Sequence, residues 1–452
     1  MENIKILDAI VPNYTEKFLS GQYSLDEMPL LEAIAHRFMH EMQTTDCNDV
    51  YIVACQHLLK PQLAMFEQFV KLGIPALHIM VLPKIYSANQ SVLAGIKNLG
   101  CTVFEDALNF HPSQNFDDFH YQQCESVVRH VEKTVPASAK LIVLDDGGML
   151  IKTFAQHKKL IRSFEQGVYG VEQTASGKNI LLKTNVPFIV TSVASSIEKI
   201  TIETNYIIRH VMTRLTEYFV EQEISKSSKL LVLGKGPIGK TLISALTREG
   251  YDCDGYDSNE GSFKGSFSSY DVIIGATGSN SVSIKQLPNL KASTHLISVS
   301  SSDREFPSVH IRKNSVAGKG THDTFVYKEN GIRLANGGFP ITFKGKETEC
   351  FPLEMDVTMM KLTEAVLMHV LSKTDIETSI NQMYAWKKLF LHTPVIYCWF
   401  ATLLGFIVIK LLLIGMHPLS TVWYLVFLPL VLYGSYPALW QICYYRKLEK
   451  HL

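Results

Sequence analysis

Apolar segments of strand length alternate with helical patterns in the first part of the chain. The strand candidates lie at 51–55, 77–82, 101–104, 141–144 and 186–191, and helical patterns lie at 62–72 and 90–99. Gly73 and Gly100 follow these two helical patterns, as glycines often do at helix C-termini. Such an alternation predicts a parallel sheet with helices packed on its faces.

A second α/β pattern follows a long helical pattern at about 196–223 and the polar residues 225–228. It runs from Lys229 to about Phe343, and an amphipathic helix pattern follows at 356–371. We therefore predict an α/β protein with two Rossmann-like parallel-sheet domains, the first over 1–193 and the second over 194–345. Residues 346–393 would supply a helix that returns to the first domain, and a linker.

The residues 394–445 contain two long runs that are almost free of charge. Only Lys410 is charged between 394 and 414, and no residue is charged between 419 and 445. A bilayer core is spanned by about 20 apolar residues, and basic residues flank both outer ends. We predict a transmembrane α-helical hairpin in contact with membrane lipid, with the soluble domains facing the cytoplasm. A pair of buried core helices is the alternative.

Composition narrows the class of protein. The 452 residues are 46% hydrophobic and 19% charged, which fits two or three folding units. Lys plus Arg and Asp plus Glu both number 43, so nothing indicates a nucleic-acid partner. The eight cysteines form no C-x-x-C pair, which indicates reduced thiols and no metal site. The N-terminal residues have no apolar run typical of a signal peptide.

One glycine-rich motif carries the clearest chemistry. An apolar run from Lys229 leads into Gly234, Gly236 and Gly239, and a helical pattern follows. The spacing G-x-G-x-x-G between a strand and a helix suits the pyrophosphate of a dinucleotide. Asp257 follows the next strand-like segment, near the offset expected of an acid that binds ribose hydroxyls. We therefore predict NAD as the cofactor of the second domain.

The same residues also satisfy a second pattern. Gly234, Gly239, Lys240 and Thr241 match G-x-x-x-x-G-K-T, the phosphate loop of nucleotide triphosphatases. That loop needs a nearby acid to hold Mg²⁺, whereas the next strand candidate leads into the small residues 275–278. This difference favours the dinucleotide, and the phosphate loop and a glycine turn without a ligand stay open as alternatives.

Several segments resemble the NAD-dependent adenosylhomocysteinases. Residues 144–150 (Leu-Asp-Asp-Gly-Gly-Met-Leu) resemble the family's Leu-Asp-Asp-Gly-Gly-Asp-Leu, and residues 167–177 resemble Gly-Ile-Arg-Gly-x-Glu-Glu-Thr-Thr-Thr-Gly. Residues 196–199 resemble Ser-Val-Thr-Lys, and residues 55–57 resemble Cys-Leu-His. With the glycine loop, the likeness covers roughly residues 45–370 in the same order. The predicted hairpin is not part of it.

The resemblance implies a redox-assisted enzyme that acts on a nucleoside or a ribosyl thioether. It implies catalytic roles for Asp146, Lys199 and Glu203, with Glu203 standing where the family has Asp, and substrate contacts for His57 and Gln173. It also implies a set of cofactor contacts, and a homo-oligomer as the assembly. The cofactor residues are Gly234, Gly236, Ile238, Gly239, Asp257, Thr277, Gly278, Thr174, Ser176, Thr204 and Asn336.

The chain departs from the family at several substrate positions. Gln173 and Met149 replace acids, and Leu59 and Pro61 replace a substrate-binding Thr and Glu. Serines occupy 300–302, where a His is expected, and a Gly-His-Pro segment is replaced by residues 351–353. The loss of two histidines argues against ordinary hydrolysis of S-adenosylhomocysteine. A catalytically decayed NAD-binding regulatory or adaptor protein at a membrane is therefore the alternative function.

Local alternatives also stay open for the candidate catalytic residues. Asp145 and Asp146 suit a turn at the end of a strand, and Lys199 suits the surface of a helix. His57 suits packing or hydrogen bonding at the end of a strand, and the serines at 300–302 suit an ordinary loop.

Overall fold

The computed structural model describes residues 5–261, 263, 265–344, 350–373 and 380. Residues 1–375 form one compact unit of the chain. Within the described part of the chain, no helix is both long and apolar enough to span a bilayer. The predicted hairpin at 394–445 lies outside the described residues.

The first sheet has six parallel strands in the order β3-β2-β1-β4-β5-β6. Its strands are β1 (Val50–Leu58), β2 (Ile79–Ala88), β3 (Thr102–Val103), β4 (Lys140–Asp145), β5 (Val168–Glu172) and β6 (Ile189–Ser192). The chain builds outward in one direction from β1 to β3 and in the other from β4 to β6. The carboxyl ends of β1 and β4 therefore flank the crevice where ligands bind in such sheets.

Helices connect and cover these strands. They are α1 (Tyr14–Leu19), α2 (Pro29–Gln43), α3 (Lys60–Lys71), α4 (Gln90–Asn98), α5 (Phe116–Thr134), α6 (Met149–Gln156), α7 (Lys158–Ser163) and α8 (Ala175–Leu181). On one face of the sheet, alternate residues of β1 such as Ile52 and Ala54 pack with Met65 and Phe66 of α3. Successive side chains of a strand point to opposite faces of the sheet, so every second residue of β1 packs against the helix.

The second sheet has seven strands in the order β11-β12-β13-β10-β9-β7-β8. Its strands are β7 (Lys229–Leu233), β8 (Asp252–Tyr256), β9 (Val272–Gly275), β10 (His295–Ser298), β11 (Ser315–Ala317), β12 (Phe325–Tyr327) and β13 (Arg333–Leu334). All neighbours pair in parallel except those of β12, which is antiparallel to both β11 and β13. Strand order reverses at β7, between β8 and β9, so the second crevice opens at the carboxyl ends of β7 and β9.

Further helices accompany this sheet and the segment that follows it. They are α9 (Ile197–Glu221), α10 (Pro237–Arg248), α11 (Ser308–Lys313) and α12 (Pro352–Val370). Short 3-10 helices lie at Ile6–Ala9, Ala76–His78, Glu105–Leu108, Ser258–Glu260, Phe267–Ser269, Ile284–Asn289 and Ala335–Gly338. Helix α12 packs on α2 and α3, and the Asp356 carboxylate accepts the Leu30 and Leu31 N–H groups at 2.9 Å each.

An aromatic cluster joins the parts of the chain that carry the two sheets. Phe339, from the loop after β13, stacks on Tyr86 of β2 with ring centroids 5.0 Å apart. The buried Arg312 donates to the carbonyl oxygens of Pro112 (2.5 Å), Gly337 (2.6 Å) and Gln114 (2.9 Å). The loop after β13 is thereby held over the carboxyl end of β2.

The prediction of an α/β protein with Rossmann-like parallel sheets is confirmed. The ends of most predicted strands lie within a few residues of the observed ends. Gly73 and Gly100 follow their helices as predicted, and both have a positive φ. The largest difference is β2, which continues six residues beyond the predicted end at 82. That extension brings Lys84 into the sheet.

Candidate functional site

Asp146 lies at the crevice of the first sheet, directly after β4. Its N–H donates to the carbonyl of Cys55 on β1 at 3.1 Å. Its buried carboxylate forms an ion pair with Lys84 of β2 and lies 3.5 Å from Nε2 of His57. Burial alone would raise the pKa of Asp146, but the charge of Lys84 and its hydrogen bond to the carboxylate outweigh burial and lower that pKa. Asp146 is therefore ionised at neutral pH.

Lys84 is a site residue that sequence reasoning missed. Its side chain is only 6% exposed. Burial lowers the pKa of Lys84, but the neighbouring Asp146 carboxylate more than offsets this and raises it. The sequence signal was a charged residue within the apolar segment 79–88, which continues the predicted strand.

His57, a predicted substrate contact, stands beside the same carboxylate. Burial lowers the pKa of His57 to about 4, so the imidazole is neutral at physiological pH. Its Nδ1 is hydrogen-bonded to Ser87 Oγ, and its ring stacks on Phe343 with centroids 4.8 Å apart. The His57 ring therefore both packs against an aromatic side chain and makes polar contacts at the crevice.

Lys199 and Glu203 form a second buried pair, in the first turns of α9. The Lys199 Nζ donates to the backbone carbonyl of Gln173 at 2.6 Å and lies 3.7 Å from Glu203 Oε2. Burial raises the pKa of Glu203 to about 7 against the opposing charge of Lys199. Asp146 raises that pKa further, and Lys199 lowers the pKa of Asp146, so the three predicted catalytic groups are electrostatic neighbours. Lys199 is not a surface lysine.

A pair of buried carboxyl groups supports the loop that carries Asp146. Asp145 and Glu172 are register partners on β4 and β5. Burial raises the pKa of Asp145 to about 7 and that of Glu172 well above its ordinary value. Asp145 accepts the Ile151 N–H at 2.8 Å, and Glu172 accepts the Gly147 N–H at 3.2 Å. These bonds fix the turn that follows Asp146.

The glycine turn lies at the second crevice, between β7 and α10. A Cβ at Gly239 would meet the Gly234 carbonyl oxygen at 1.8 Å, so the fold itself requires this glycine. A Cβ on Gly236 would meet no heavy atom of the described residues within 4 Å. Packing within the described part of the chain therefore does not require a glycine at 236, whereas close approach of a phosphate to the backbone does. The geometry of the turn fits a pyrophosphate.

Asp257 follows β8 and faces the glycine turn. Its carboxylate accepts the Lys235 N–H at 2.7 Å and the Asn259 N–H at 3.0 Å. The bonds from Asn259 and Lys235 lower the pKa of Asp257, so it is an ionised acceptor at the edge of the crevice. This is the place expected of an acid that binds ribose hydroxyls.

Thr277 and Gly278 follow β9, across the crevice from the glycine turn. Their N–H groups donate to the carboxylate of Glu305, at 2.6 Å and 2.5 Å. Both backbone N–H groups therefore already have a hydrogen-bond acceptor within the protein. Glu305 is a second residue that sequence reasoning missed, since the carboxylate comes from a loop 28 positions further along the chain.

The other predicted cofactor residues differ in their burial and in their hydrogen-bond partners. Thr174 caps α8 by accepting the Gly177 N–H at 3.0 Å, and Ser176 Oγ lies 3.3 Å from its hydroxyl. Ile238 packs against the core under α10, and Thr204 is half-buried on α9. The Asn336 amide donates to the carbonyls of Pro340 (2.7 Å) and Phe343 (2.9 Å). It thus shapes the loop that lies on His57.

The departures from the adenosylhomocysteinase pattern also have a structural setting. Ser300 Oγ donates to Glu305 at 2.5 Å, and Ser302 Oγ lies 3.3 Å from the Asp117 carboxylate. These two hydroxyls hold loops together. Among the residues that the structure describes, no group of three or more His, Cys, Asp or Glu side chains is arranged to bind a metal ion.

Comparison with known proteins gives relatives without an assigned activity. No family model matches the chain. Two uncharacterized proteins from two strains of Mycobacterium tuberculosis are each 30% identical to it over 336 residues. The match covers 70% of this chain and 64% of the relatives, so it spans less than two thirds of their length.

Solved structures match the chain at low similarity. An NAD⁺-bound 3-phosphoglycerate dehydrogenase from Entamoeba histolytica gives a TM-score of 0.34 at 12% identity, covering 76% of this chain and 96% of that one. A formate dehydrogenase from Staphylococcus aureus in complex with NAD gives 0.36 at 11%, covering 73% and 98%. A dipicolinate synthase chain from Bacillus halodurans gives 0.36 at 9%, covering 71% and 98%. Likeness at this level transfers no activity, so the resemblance to adenosylhomocysteinases stays a prediction.

Proposed function

We propose that the protein binds NAD at the second crevice and uses it in redox-assisted chemistry on a nucleoside or ribosyl thioether at the first. The observation that carries this proposal is the buried cluster of Lys199, Glu203 and Asp146 at the first crevice. Ionisable groups buried together, with shifted pKa values, are typical of catalytic sites. Two Rossmann-like sheets in one compact unit supply a place for each ligand.

The residues at the glycine turn suit NAD. Gly234 and Gly239 shape the turn, and Gly236 leaves room for the pyrophosphate beside the N-terminus of α10, whose first N–H groups favour an anion. Asp257 would bind the ribose hydroxyls of the adenosine half. When bound, NAD accepts a hydride from a substrate carbon and returns it.

The side chains at the first crevice would handle protons and hydroxyl groups. Lys199 and Glu203 lie together at this crevice and would hold and move the proton of a substrate hydroxyl group. Because burial raises the pKa of Glu203 to about 7, the charge of that carboxyl group changes within the physiological range. Asp146 stays ionised and, oriented by Lys84 and His57, would accept hydrogen bonds from ribose hydroxyls.

The test uses full-length protein and a panel of ribosyl compounds that includes adenosine and S-adenosylhomocysteine. Reduced nicotinamide absorbance should appear with at least one compound. Lys199→Met should abolish it, whereas Lys183→Met, a change at an exposed lysine, should not. A signal that persists in Lys199→Met would remove Lys199 from the mechanism.

A second candidate function is a catalytically decayed NAD-binding regulatory or adaptor protein. The observation that favours it is the structural use of Ser300 and Ser302, which stand where the resemblance implies a His. Bound NAD with no reduction by any ribosyl compound would support this candidate over the enzyme.

We also propose that the protein is attached to a membrane. The length and neutrality of the two runs in 394–445 support a two-span membrane anchor with the compact unit on the cytoplasmic side. A homo-oligomer is proposed from the resemblance alone.

A further inference from the structure

The carboxyl group of Glu305 is completely buried beside the second crevice. The residue is 0% exposed, and its side chain packs on the end of β9, where a Cβ at Gly275 would meet Glu305 Oε2 at 2.6 Å. Its backbone carbonyl accepts the Ser281 N–H at 2.8 Å and the Ser281 hydroxyl at 2.9 Å. Both the backbone and the side chain of Glu305 are therefore held in place.

Both oxygens of this carboxyl group act as hydrogen-bond acceptors. Oε1 accepts the N–H groups of Thr277 (2.6 Å) and Gly278 (2.5 Å) and the Ser300 hydroxyl (2.5 Å). Oε2 accepts the Thr277 hydroxyl at 2.9 Å. A carboxyl group that only accepts hydrogen bonds is in its ionised form. All of these donors are neutral, so they satisfy the lone pairs of the carboxylate without balancing its charge.

No side chain in the described part of the chain forms an ion pair with Glu305. The neighbouring Arg304 pairs with Asp117 at 2.9 Å, and Arg312 pairs with Asp303 at 2.7 Å. Buried charges in proteins are normally paired, because an isolated charge is strongly disfavoured away from water. The unbalanced charge of Glu305 therefore indicates that a cationic group binds nearby from outside the chain.

The order of the strands determines which half of a dinucleotide would lie near this carboxylate. Four neighbouring strands have the order β10-β9-β7-β8. A dinucleotide lies across the point where the order reverses, with its pyrophosphate at the glycine turn after β7. Asp257, after β8, is the proposed contact of the adenosine ribose. The nicotinamide half would then lie on the other side of β7, over the carboxyl ends of β9 and β10.

Glu305 lies on this nicotinamide side of the crevice. Its loop follows β10, and it accepts the N–H groups of the residues after β9. Thr277 in turn adjoins the glycine turn, since a Cβ at Gly234 would meet Thr277 Cγ2 at 3.0 Å. The nicotinamide ring carries a positive charge in NAD⁺ and none in NADH. A fixed negative charge on this side therefore favours the oxidised form.

We propose that the buried carboxylate of Glu305 sets the redox preference of the cofactor site, by stabilising the cationic nicotinamide of NAD⁺ over the neutral ring of NADH. This inference rests on the proposed function, in which NAD binds at the second crevice. The pyrophosphate has the same charge in both forms, so its repulsion from Glu305 cancels in the comparison. The preference suits a site whose cofactor first takes a hydride from the substrate.

The experiment measures the ratio of the two affinities on full-length protein. The protein is dialysed to equilibrium against mixtures of NAD⁺ and NADH of known ratio, and the bound cofactor is assayed for its redox state after denaturation. The test variant is Glu305→Gln, and the control is Asp257→Ala, at the adenosine half of the site. Thermal unfolding shows whether each variant is folded.

The Gln variant removes the charge but can keep the hydrogen bonds. Its amide oxygen can replace Oε1 as the acceptor of the Thr277, Gly278 and Ser300 donors. Its NH₂ group, in place of Oε2, can donate to the Thr277 hydroxyl, which itself donates to the Ser279 carbonyl at 2.8 Å. A purely structural role of Glu305 therefore predicts an unchanged ratio of affinities in this variant.

We expect wild-type protein to bind NAD⁺ more tightly than NADH. In Glu305→Gln this preference should fall on the order of tenfold, which raises the potential of the bound two-electron couple by about 30 mV. Asp257→Ala should weaken the binding of both forms equally and leave their ratio as in wild type.

An unchanged ratio in folded Glu305→Gln would overturn the inference, and so would an equal fall of the ratio in Asp257→Ala. Wild-type protein that binds NADH at least as tightly as NAD⁺ would overturn it whether or not the variant folds. Binding of neither dinucleotide to wild-type protein is a distinct result, in which the proposed function itself fails.

Discussion

The Nζ of Lys199 lies 3.7 Å from Oε2 of Glu203, one helical turn later on α9. Both side chains are buried, and burial raises the pKa of Glu203 to about 7. The proton on Glu203 therefore sets the net charge beside Asp146 near neutral pH. This relationship links the stability of the fold to the proposed chemistry.

Replacing Glu203 should change how stability depends on pH. Because its pKa is higher in the folded state than its ordinary value of 4.5, its contribution is present below about pH 4.5 and is lost as pH rises through about 7. Glu203→Gln should reduce the fall in unfolding free energy between about pH 5 and 8 by on the order of 2 kcal/mol. Urea unfolding at several pH values measures this.

Some pH dependence should remain in that variant, because burial raises the pKa of Asp145 and Asp356 to about 7 as well. Glu221→Gln, at the exposed end of the same helix, should behave as wild type does. An unchanged pH profile in Glu203→Gln would show that this carboxyl does not titrate as described.

Removing the carboxylate of Asp257 should weaken NAD binding. The ionised group is placed to accept hydrogen bonds from ribose hydroxyls, and such charge-assisted bonds contribute about 1.5–3 kcal/mol each. Asp257→Ala should therefore lower NAD affinity by roughly ten- to a hundredfold. Asp252→Ala, at the exposed start of β8, serves as the control. Tighter binding of ATP with Mg²⁺ than of NAD would instead support the phosphate-loop interpretation.

Deleting the residues from Pro394 onward should release the protein from membranes into the soluble fraction. NAD should remain bound, because the proposed binding residues all lie within the compact unit of residues 1–375. Fractionation and cofactor assay of the shortened chain test this. Aggregation or loss of NAD would show that the apolar runs belong to the folded core.

Hydrolysis of S-adenosylhomocysteine should be weak or absent. A positioned acid or base contributes about 10²–10⁴-fold to a rate, and the resemblance leaves two histidines and a glutamate without counterparts. A coupled assay for released homocysteine measures the rate. Turnover equal to that of an ordinary adenosylhomocysteinase would mean that other residues supply these protons.

Sequence patterns predicted those parts of the site that are formed by residues close together in the chain. The strand, glycine turn and helix around Gly236 follow from spacing alone, and the resemblance implied roles for Asp146 and Lys199 at one substrate. Their partners could not be predicted in this way. Lys84 reaches Asp146 only because β2, β1 and β4 are successive neighbours in the sheet.

The burial of several polar side chains could not be predicted from sequence patterns either. Gln56 and Gln62 are almost fully buried, although glutamines are ordinarily exposed. The sequence alone does not show that the packing of α3 on β1 encloses them. Glu305 likewise belongs to a loop with no recognisable motif, and its role follows from where that loop meets the residues after β9.

The most direct test of the account is the dinucleotide that purified full-length protein releases on denaturation. We expect NAD in an amount close to equimolar with the chain. Gly236→Ala should fold as wild type does, because its Cβ would meet no heavy atom of the residues that the structure describes within 4 Å. It should nevertheless release far less NAD, since that Cβ would meet the pyrophosphate. Absence of NAD from wild-type protein, or equal NAD in folded Gly236→Ala, would contradict the account.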